Sequence, residues 1–368
     1  MKSGKAGTES RSARNVQRSA SLVARAEEFR AALREWFLRE RRDMPWRRER
    51  SVYRTVVSEF MLQQTQVDTV VPYFENWTRR WKNFEELAAA AEADVLRAWE
   101  GLGYYSRARN LHALARRVAA EGRVPASVEE WRGFRGVGAY TAAAIASISQ
   151  GVPAAVADGN VVRILVRLTA DEKVFRDSSG AAAELAPLAE AMLDPAFPGD
   201  HNEAMMELGA LVCSRRSPRC LFCPVREFCA ARSRGVEESL PKFPPKKMKK
   251  VVVDRLWCRV GDSILLVRNA SGTRRLRNLC EFPRAEDFGF SAEKPAFEEI
   301  LFEGRRGIAD EMITERFRRV PASDAACLTQ TFSAAHAELF FAKIGELSAL
   351  AFSGPHRKWL KRLLEISC

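Results

Sequence analysis

Residues 134–164 read FRGVGAYTAAAIASISQGVPAAVADGNVVRI. The glycines at 136 and 138 set a tight turn around Val137, and the small-residue run from Tyr140 to about Ser149 predicts a helix that stops at Gly151-Val152-Pro153. A turn of this kind leaves backbone N–H groups pointing outward at a helix N-terminus, where they can receive a phosphate of a nucleic-acid backbone. Taken alone it is also ordinary chain geometry. Asp158 adds weight, because it follows the apolar Val152, Ala154, Ala155 and Val156, where a carboxylate is costly unless something employs or satisfies it. Capping of the next helix, which carries Val161, Val162, Ile164 and Leu165, would satisfy it. Capping and catalysis are compatible, so position alone does not separate them.

The formal net charge of +12 and pI near 9.5 suggest a polyanionic partner. Nucleic acid is favoured over a membrane surface, since no run approaches the roughly 18 apolar residues of a spanning helix and the N-terminus lacks the apolar core of a secretory signal. At 368 residues the chain is comfortable as two domains. Eight cysteines, four of them clustered, fit a reducing compartment with one ligand site better than a disulfide framework.

The turn and the segment VADGNVVR resemble the helix-hairpin-helix DNA glycosylase superfamily, whose members excise bases from DNA. The resemblance assigns DNA-phosphate binding to Gly136, Val137 and Gly138, and makes Asp158 the catalytic carboxylate. Upstream, Val52, Val56, Glu59 and Gln63 share one face of a helix expected to run to about Val67, which sets a carboxylate on an apolar stripe. Burial there would raise its pKa toward that of a general acid at neutral pH, whereas a Glu at the edge of the stripe would reach solvent. SEFMLQQTQV, residues 58–67, resembles the signature helix of the adenine glycosylase (MutY) branch. By that resemblance Glu59 protonates adenine, Gln63, Gln64 and Thr65 lie at the lesion, and Leu62 and Val67 wall the pocket.

Around these stand further expectations. Residues 1 to about 22 are basic and rich in Ser and Ala, which predicts a disordered tail; a transit peptide is the alternative. A helix is expected from about Leu22 to Arg41, stopped by Pro45, and the basic-aromatic trio Arg42, Trp46 and Arg47 could clamp a nucleotide or simply form a solvated corner. EGLGYYSRAR, residues 100–109, carries another glycine turn with two tyrosines. The family resemblance makes Tyr104 the residue that wedges into the base stack and leaves Tyr105 to core packing. Tyr140 stands where the endonuclease III branch has its Schiff-base lysine, which implies base removal without strand cleavage. Tyr140 and Asn160 would support Asp158 and the attacking water, and Glu203 matches a position near the adenine pocket.

Cys213, Cys220, Cys223 and Cys229 are spaced C-x6-C-x2-C-x5-C. Four thiolates this close suit zinc or an iron–sulfur cluster. The spacing is that of the family's [4Fe–4S] loop, and the iron assignment rests on that resemblance. Arg215, Arg216, Arg219 and Arg226 surround it.

PKFPPKKMKK, residues 241–250, reads as a semi-rigid basic linker. Beyond it VVVDRLWCRV and SILLVRN suggest a β-hairpin and AHAELFFAKI another strand. The order of these segments resembles the MutT-like (Nudix-fold) domain of the adenine glycosylases, without the catalytic Glu-rich box. In that family an F-S-H loop reads 8-oxoguanine. Here the loop is Phe332-Ser333-Ala334-Ala335-His336, which keeps Ser333 and puts Ala334 in place of the adjacent histidine; whether His336, two residues on, substitutes for it is open.

The expected architecture is therefore a basic tail (1–22), a mainly α helix-hairpin-helix domain (23–236) holding the cluster loop (213–229), a linker (237–250) and an α+β Nudix-like domain (251–368). The expected activity is that of a monofunctional, monomeric adenine glycosylase acting on duplex DNA with A:8-oxoguanine or A:G mispairs in the bacterial cytoplasm, at the nucleoid. A bifunctional thymine-glycol enzyme is disfavoured by Tyr140 and by the added domain. A non-catalytic mispair binder would need neither Glu59 nor Asp158.

Overall fold

The structure is a computed structural model that describes residues 3–245, 248–269, 279–290, 297–308, 310–334 and 337–366. The chain divides into two compact units, Met1–Val67 with Trp81–Glu85 and Leu114–Pro245, and Asp68–Arg80 with Glu86–Ala113 and Lys246–Cys368. Residues 68–80 and 86–113, expected within the glycosylase domain, thus group with the C-terminal segment.

The first unit is helical. At its centre lies Ala139–Gln150, whose Ala142, Ala143, Ala144 and Ala146 are buried. Side chains this small let neighbouring helices approach closely, and Val52–Leu62 and Pro198–Leu211 both contact it. Gly159–Thr169 fills the core beside them with Val162, Leu165 and Val166, each fully buried. From outside, Ala26–Glu40 adds Phe29, Leu33 and Phe37, each burial contributing about 1.5 to 3 kcal/mol.

Three boundaries differ from expectation. The segment expected as a disordered tail is helical over Ser3–Ala24; Arg18 donates to the Thr169 and Ala170 carbonyls at 3.3 and 3.2 Å and Leu22 is buried, so docking offsets the loss of chain entropy. The next helix begins at Ala26 and ends at Glu40, and Pro45 opens a separate turn, Pro45–Arg48, in place of stopping the first. The Val52 helix ends at Leu62, so Gln63, Gln64 and Thr65 lie in a turn with Gln64 at φ +57°, and a new helix starts at Val67. Among the described residues no helix is long and apolar enough to cross a membrane.

In the second unit the helices Val67–Arg80 and Glu92–Ala98 meet through Trp77 and Trp99, edge to face at 5.5 Å. Its sheet comprises β1 (Lys249–Val260), β2 (Ser263–Asn269), β3 (Cys280–Glu281), β4 (Ile300–Ile308), β5 (Glu311–Val320) and β6 (Ala337–Lys343), in the order β3-β2-β1-β5-β4 with β6 paired to β2. The expected β1–β2 hairpin is present but closes only at Arg259↔Ile264 and Val260↔Ser263. The long partner of β1 is β5, parallel from Lys249↔Glu311 to Cys258↔Val320. Alternation along β1 sends Trp257 to one face, against Phe282, Phe317, Trp359 and Leu363, and Leu256 and Cys258 to the other, against Phe288 and Leu328. Both faces are covered, as an α+β domain requires. The start of the expected linker is held, since Phe175 N–H donates to the Lys242 carbonyl at 3.0 Å and the rings of Phe175 and Phe243 lie 6.2 Å apart.

Candidate active site

Three acidic residues from three helices surround Tyr140 in the first unit. Glu59 projects from Val52–Leu62, a helix that buries Tyr53 and residues 55 to 61 and is capped at its start by Ser51 accepting from Arg54 N–H at 3.2 Å. It is 6% exposed, so it does not sit at the edge of the stripe. Burial, with Glu203 and Asp158 adding repulsion, pushes its carboxyl up to about 8, against the pull of the Tyr140 hydroxyl. A carboxyl so placed holds its proton at neutral pH. Burial also pushes the Tyr140 phenol well above its usual value, with Glu59, Asp158 and Glu203 reinforcing it, so the ring stays neutral. Its hydroxyl bonds with Glu59 and lies 3.2 Å from Met206 Sδ, its one proton going to one of them at a time.

Asp158 is indeed the N-cap. Its Oδ1 accepts from the backbone N–H groups of Asn160 at 2.9 Å and Val161 at 2.8 Å, and Oδ2 accepts from Asn160 Nδ2 at 3.1 Å. Burial raises its pKa while these bonds and Arg163 counter it. The loop before it is braced by Asn202, which donates to the Ala154 carbonyl and Ser147 Oγ, both at 2.8 Å, and accepts from Val156 N–H at 3.1 Å. Gly209 lets the Pro198–Leu211 helix come close, since a Cβ there would fall 2.5 Å from Asn160 Cβ.

Glu203 is buried but answered by cations, Arg47 Nε at 2.7 Å and Arg50. Its neighbour Glu207 receives Arg42 Nε at 2.8 Å and Arg47 Nη2 at 3.2 Å. Burial would push Glu207 up, but the two guanidinium groups hold it below the usual carboxylate range. Arg42 and Arg47 are thus committed to carboxylates, neither being the solvated corner nor an open clamp, and Trp46 is buried beside them. Sequence reasoning missed Glu207, Asn202, Arg50 and Arg163. The signal was there for Glu207, four residues after Glu203 in a stretch, Ala204–Leu211, whose other side chains are apolar.

In the hairpin, Gly136 has φ +87° and Gly138 caps Ala139–Gln150. Gln63 Nε2 donates to Thr141 Oγ1 at 3.3 Å and to the Gly136 carbonyl at 3.4 Å, which ties the Gln63–Thr65 turn to the hairpin. In the second unit Tyr104 is 54% exposed and Tyr105 only 3%. Ser333 is exposed and donates from both N–H and Oγ to the Asp287 carbonyl, at 3.0 and 3.2 Å. His336 lies outside the described residues.

Cys213, Cys220, Cys223 and Cys229 sit on short turns packed against Gly159–Thr169, with Arg167 Nη1 donating to Cys213 Sγ at 3.3 Å. Burial pushes the Cys223 thiol up to about 12 and raises Cys220 and Cys229, and the sulfurs raise one another. Such a set ionises together only around a polyvalent cation, so the donor chemistry fits a metal group. Among the described residues no three His, Cys, Asp or Glu side chains are gathered tightly enough to hold one metal ion.

Residues 57–187 match the model of the HhH-GPD superfamily base excision DNA repair protein. The chain is 45% identical over 231 residues to the adenine DNA glycosylase of Homo sapiens, covering 59% of this chain and 42% of that protein. It is 43% identical over 210 residues to that of Mycolicibacterium smegmatis, covering 55% of this chain and 69% of that protein. The match spans less than half the length of the mammalian relatives. A solved thermostable thymine-DNA glycosylase superposes with TM-score 0.50 at 26% identity, over 57% of this chain and 98% of its own. With a helical core of that fold and two-thirds of the mycobacterial relative matched, the chain belongs to the adenine DNA glycosylase family of the HhH-GPD superfamily.

Proposed function

We propose that the protein hydrolyses the N-glycosidic bond of adenine mispaired with 8-oxoguanine or guanine in duplex DNA, as a step of base excision repair. The observation that carries this reading is the buried Glu59, whose carboxyl is pushed up to about 8 next to a neutral Tyr140 and a capping Asp158. A protonated carboxyl can hand its proton to a ring nitrogen of the departing base, a step contributing about 10² to 10⁴ in rate. Asp158 spends Oδ1 on two backbone donors, while Oδ2 accepts only from Asn160 among the described bonds and has lone pairs left to face a sugar cation. Two carboxyl groups in different environments thereby take an acid's and an anion's role. Glu203, oriented by Arg47 and Arg50, offers an acceptor for an exocyclic amine of the base.

The four cysteines would hold a [4Fe–4S] cluster. Such a group supplies structural cross-linking at this place, since hydrolysis transfers no electron, and the arginines around the loop add affinity for phosphates. The reading is tested with duplexes carrying 8-oxoguanine:A, G:A and thymine-glycol:A, scored with and without alkali. Strand breaks only after alkali, and only on the adenine duplexes, are expected. Breaks without alkali, or on thymine glycol, would overturn it.

A further inference from the structure

Tyr104 holds φ +45°, a region an L-residue enters at a cost, directly after a turn with Gly101 at +110° and Gly103 at +69°. Strained backbone persists only where its surroundings over-determine it. Part of the constraint is local. Tyr73 Oη donates to the Glu100 carbonyl at 2.7 Å, Trp99 Nε1 to the Gly103 carbonyl at 3.1 Å, and Arg107 Nη2 to the Leu102 and Gly103 carbonyls at 2.8 and 3.3 Å. A Cβ on Gly101 would fall 2.0 Å from Tyr73 Oη.

The rest of the constraint comes from some 250 residues along the chain, within the same unit. Tyr105 Oη donates to the Phe352 carbonyl at 2.5 Å. Arg357 grips the Glu100 carboxylate through both Nε and Nη2, the latter at 3.1 Å to Oε2. Only 21% and 16% of these two side chains is exposed, so the pair is two-pronged and largely shielded, unlike the surface ion pairs that contribute little. Arg357 is itself held, donating to the Leu347 carbonyl at 2.8 Å and to that of Leu350, with its guanidinium 4.6 Å from the Phe352 ring. Beside it the buried His356 accepts from Phe282 N–H at 3.2 Å through Nδ1, and Cys280 N–H donates to the Ala351 carbonyl at 2.7 Å. The strap that reaches the tyrosine turn is therefore bolted to the sheet.

We propose that residues 352–357 are a clamp by which the C-terminal domain positions the Tyr104 turn, with Glu100 and Arg357 as positioning residues for insertion of Tyr104 into the base stack. This rests on the proposed glycosylase function for its consequence, though not for its geometry. It implies that the β-sheet domain acts on base extrusion through the turn, separately from any reading of the opposite base.

The test is a double-mutant cycle in the full chain: Glu100→Gln, Arg357→Gln and both together, with Tyr104→Ala as reference. Four quantities are read: hydrogen exchange of amides 101–107, melting temperature, single-turnover adenine release, and 2-aminopurine fluorescence at the target base in a Glu59→Gln background. Each single change is expected to speed exchange in the turn and to slow release by about tenfold, the worth of a charged hydrogen bond. The 2-aminopurine signal should fall toward that of Tyr104→Ala while DNA affinity moves less than release does. The double change should be no worse than either single one. Unaltered exchange in the turn, additive losses, or an undiminished 2-aminopurine signal would overturn the clamp, as would losses that merely track melting temperature. Should the unaltered protein release no adenine at all, the proposed function fails, and exchange and 2-aminopurine still decide the clamp.

Discussion

Glu59 is kept acidic by what surrounds it, and that has a thermodynamic cost that can be measured. Its pKa in the folded chain, about 8, lies above the ordinary 4.5, so the folded state binds this proton more tightly than the unfolded one. Stability from this group is therefore complete below about pH 4.5 and is lost as pH rises toward 8. Glu59→Gln has no proton to lose, and should gain on the order of 3 kcal/mol over the unaltered protein at pH 7. Thermal melts at pH 5 and 8 check this, and a gap that does not widen with pH would refute the buried-acid assignment. The same variant should bind mispaired duplex normally but release no adenine, and release by the unaltered protein should decline above about pH 8. Tyr140→Lys places a primary amine against Glu59 and Asp158, and should become trappable on DNA by borohydride, where the unaltered protein is not. Glu59 and Asp158 stood out in the sequence because each sets a carboxylate among apolar residues, and Tyr140 only through the family resemblance. The ion pairs that orient Glu203 were not, because Arg42, Arg47 and Arg50 meet it and Glu207 only across more than 150 residues.

Elements place these residues through small, specific contacts. Asn202→Ala would strand the Val156 N–H and the Ala154 carbonyl, both in the loop that delivers Asp158, and should cost about 2 kcal/mol or more of stability. Adenine release should fall beyond what the melting temperature accounts for, measured at a temperature where the variant is folded; a normal rate would mean the loop holds without this brace. The cysteine loop carries the next expectation. Purified protein should contain iron and be yellow-brown, and Cys223→Ser should impair folding or DNA affinity more than the single-turnover rate; zinc alone after anaerobic preparation would refute the cluster. The helix after the hairpin and the strands β1, β2 and β6 could be read from turn residues and periodicity, whereas β4 and β5 were not foreseen. The end of the Val52 helix at Leu62 could not, because Gln63 and Gln64 are good helix formers and only tertiary contact, Gln63 with Thr141 and Gly136, accounts for the turn. Nor could the parallel pairing of β1 with β5, whose partners are some 60 residues apart and alternate alike.

For the molecule as a whole, the chain is two units whose division does not follow the sequence order, since residues 86–113 are tied to the C-terminal segment by Tyr105 and Glu100. Removing everything after the linker would therefore strip contacts from the Tyr104 turn as well as any reader of the opposite base, and a loss of specificity in a truncated chain would not separate the two. A point change in the reading loop does separate them. Ser333 Oγ donates its hydrogen to the Asp287 carbonyl at 3.2 Å, which leaves its two lone pairs free to accept. 8-Oxoguanine carries an N7–H donor where guanine has an N7 acceptor, so an accepting hydroxyl favours the oxidised base and repels the normal one. Ser333→Ala should narrow the ratio of 8-oxoguanine:A to G:A release by about five- to a hundredfold, the range of one hydrogen bond lost at a buried interface. It should do so without lowering the G:A rate and with a melting temperature close to that of the unaltered protein, because the Ser333 N–H bond to Asp287 persists at 3.0 Å. His336→Ala, alone and combined with Ser333→Ala, shows whether the displaced histidine shares the contact. If none of the three variants changes the ratio, the loop does not read the lesion, and the domain's part in the reaction is reduced to DNA affinity and to its hold on the Tyr104 turn.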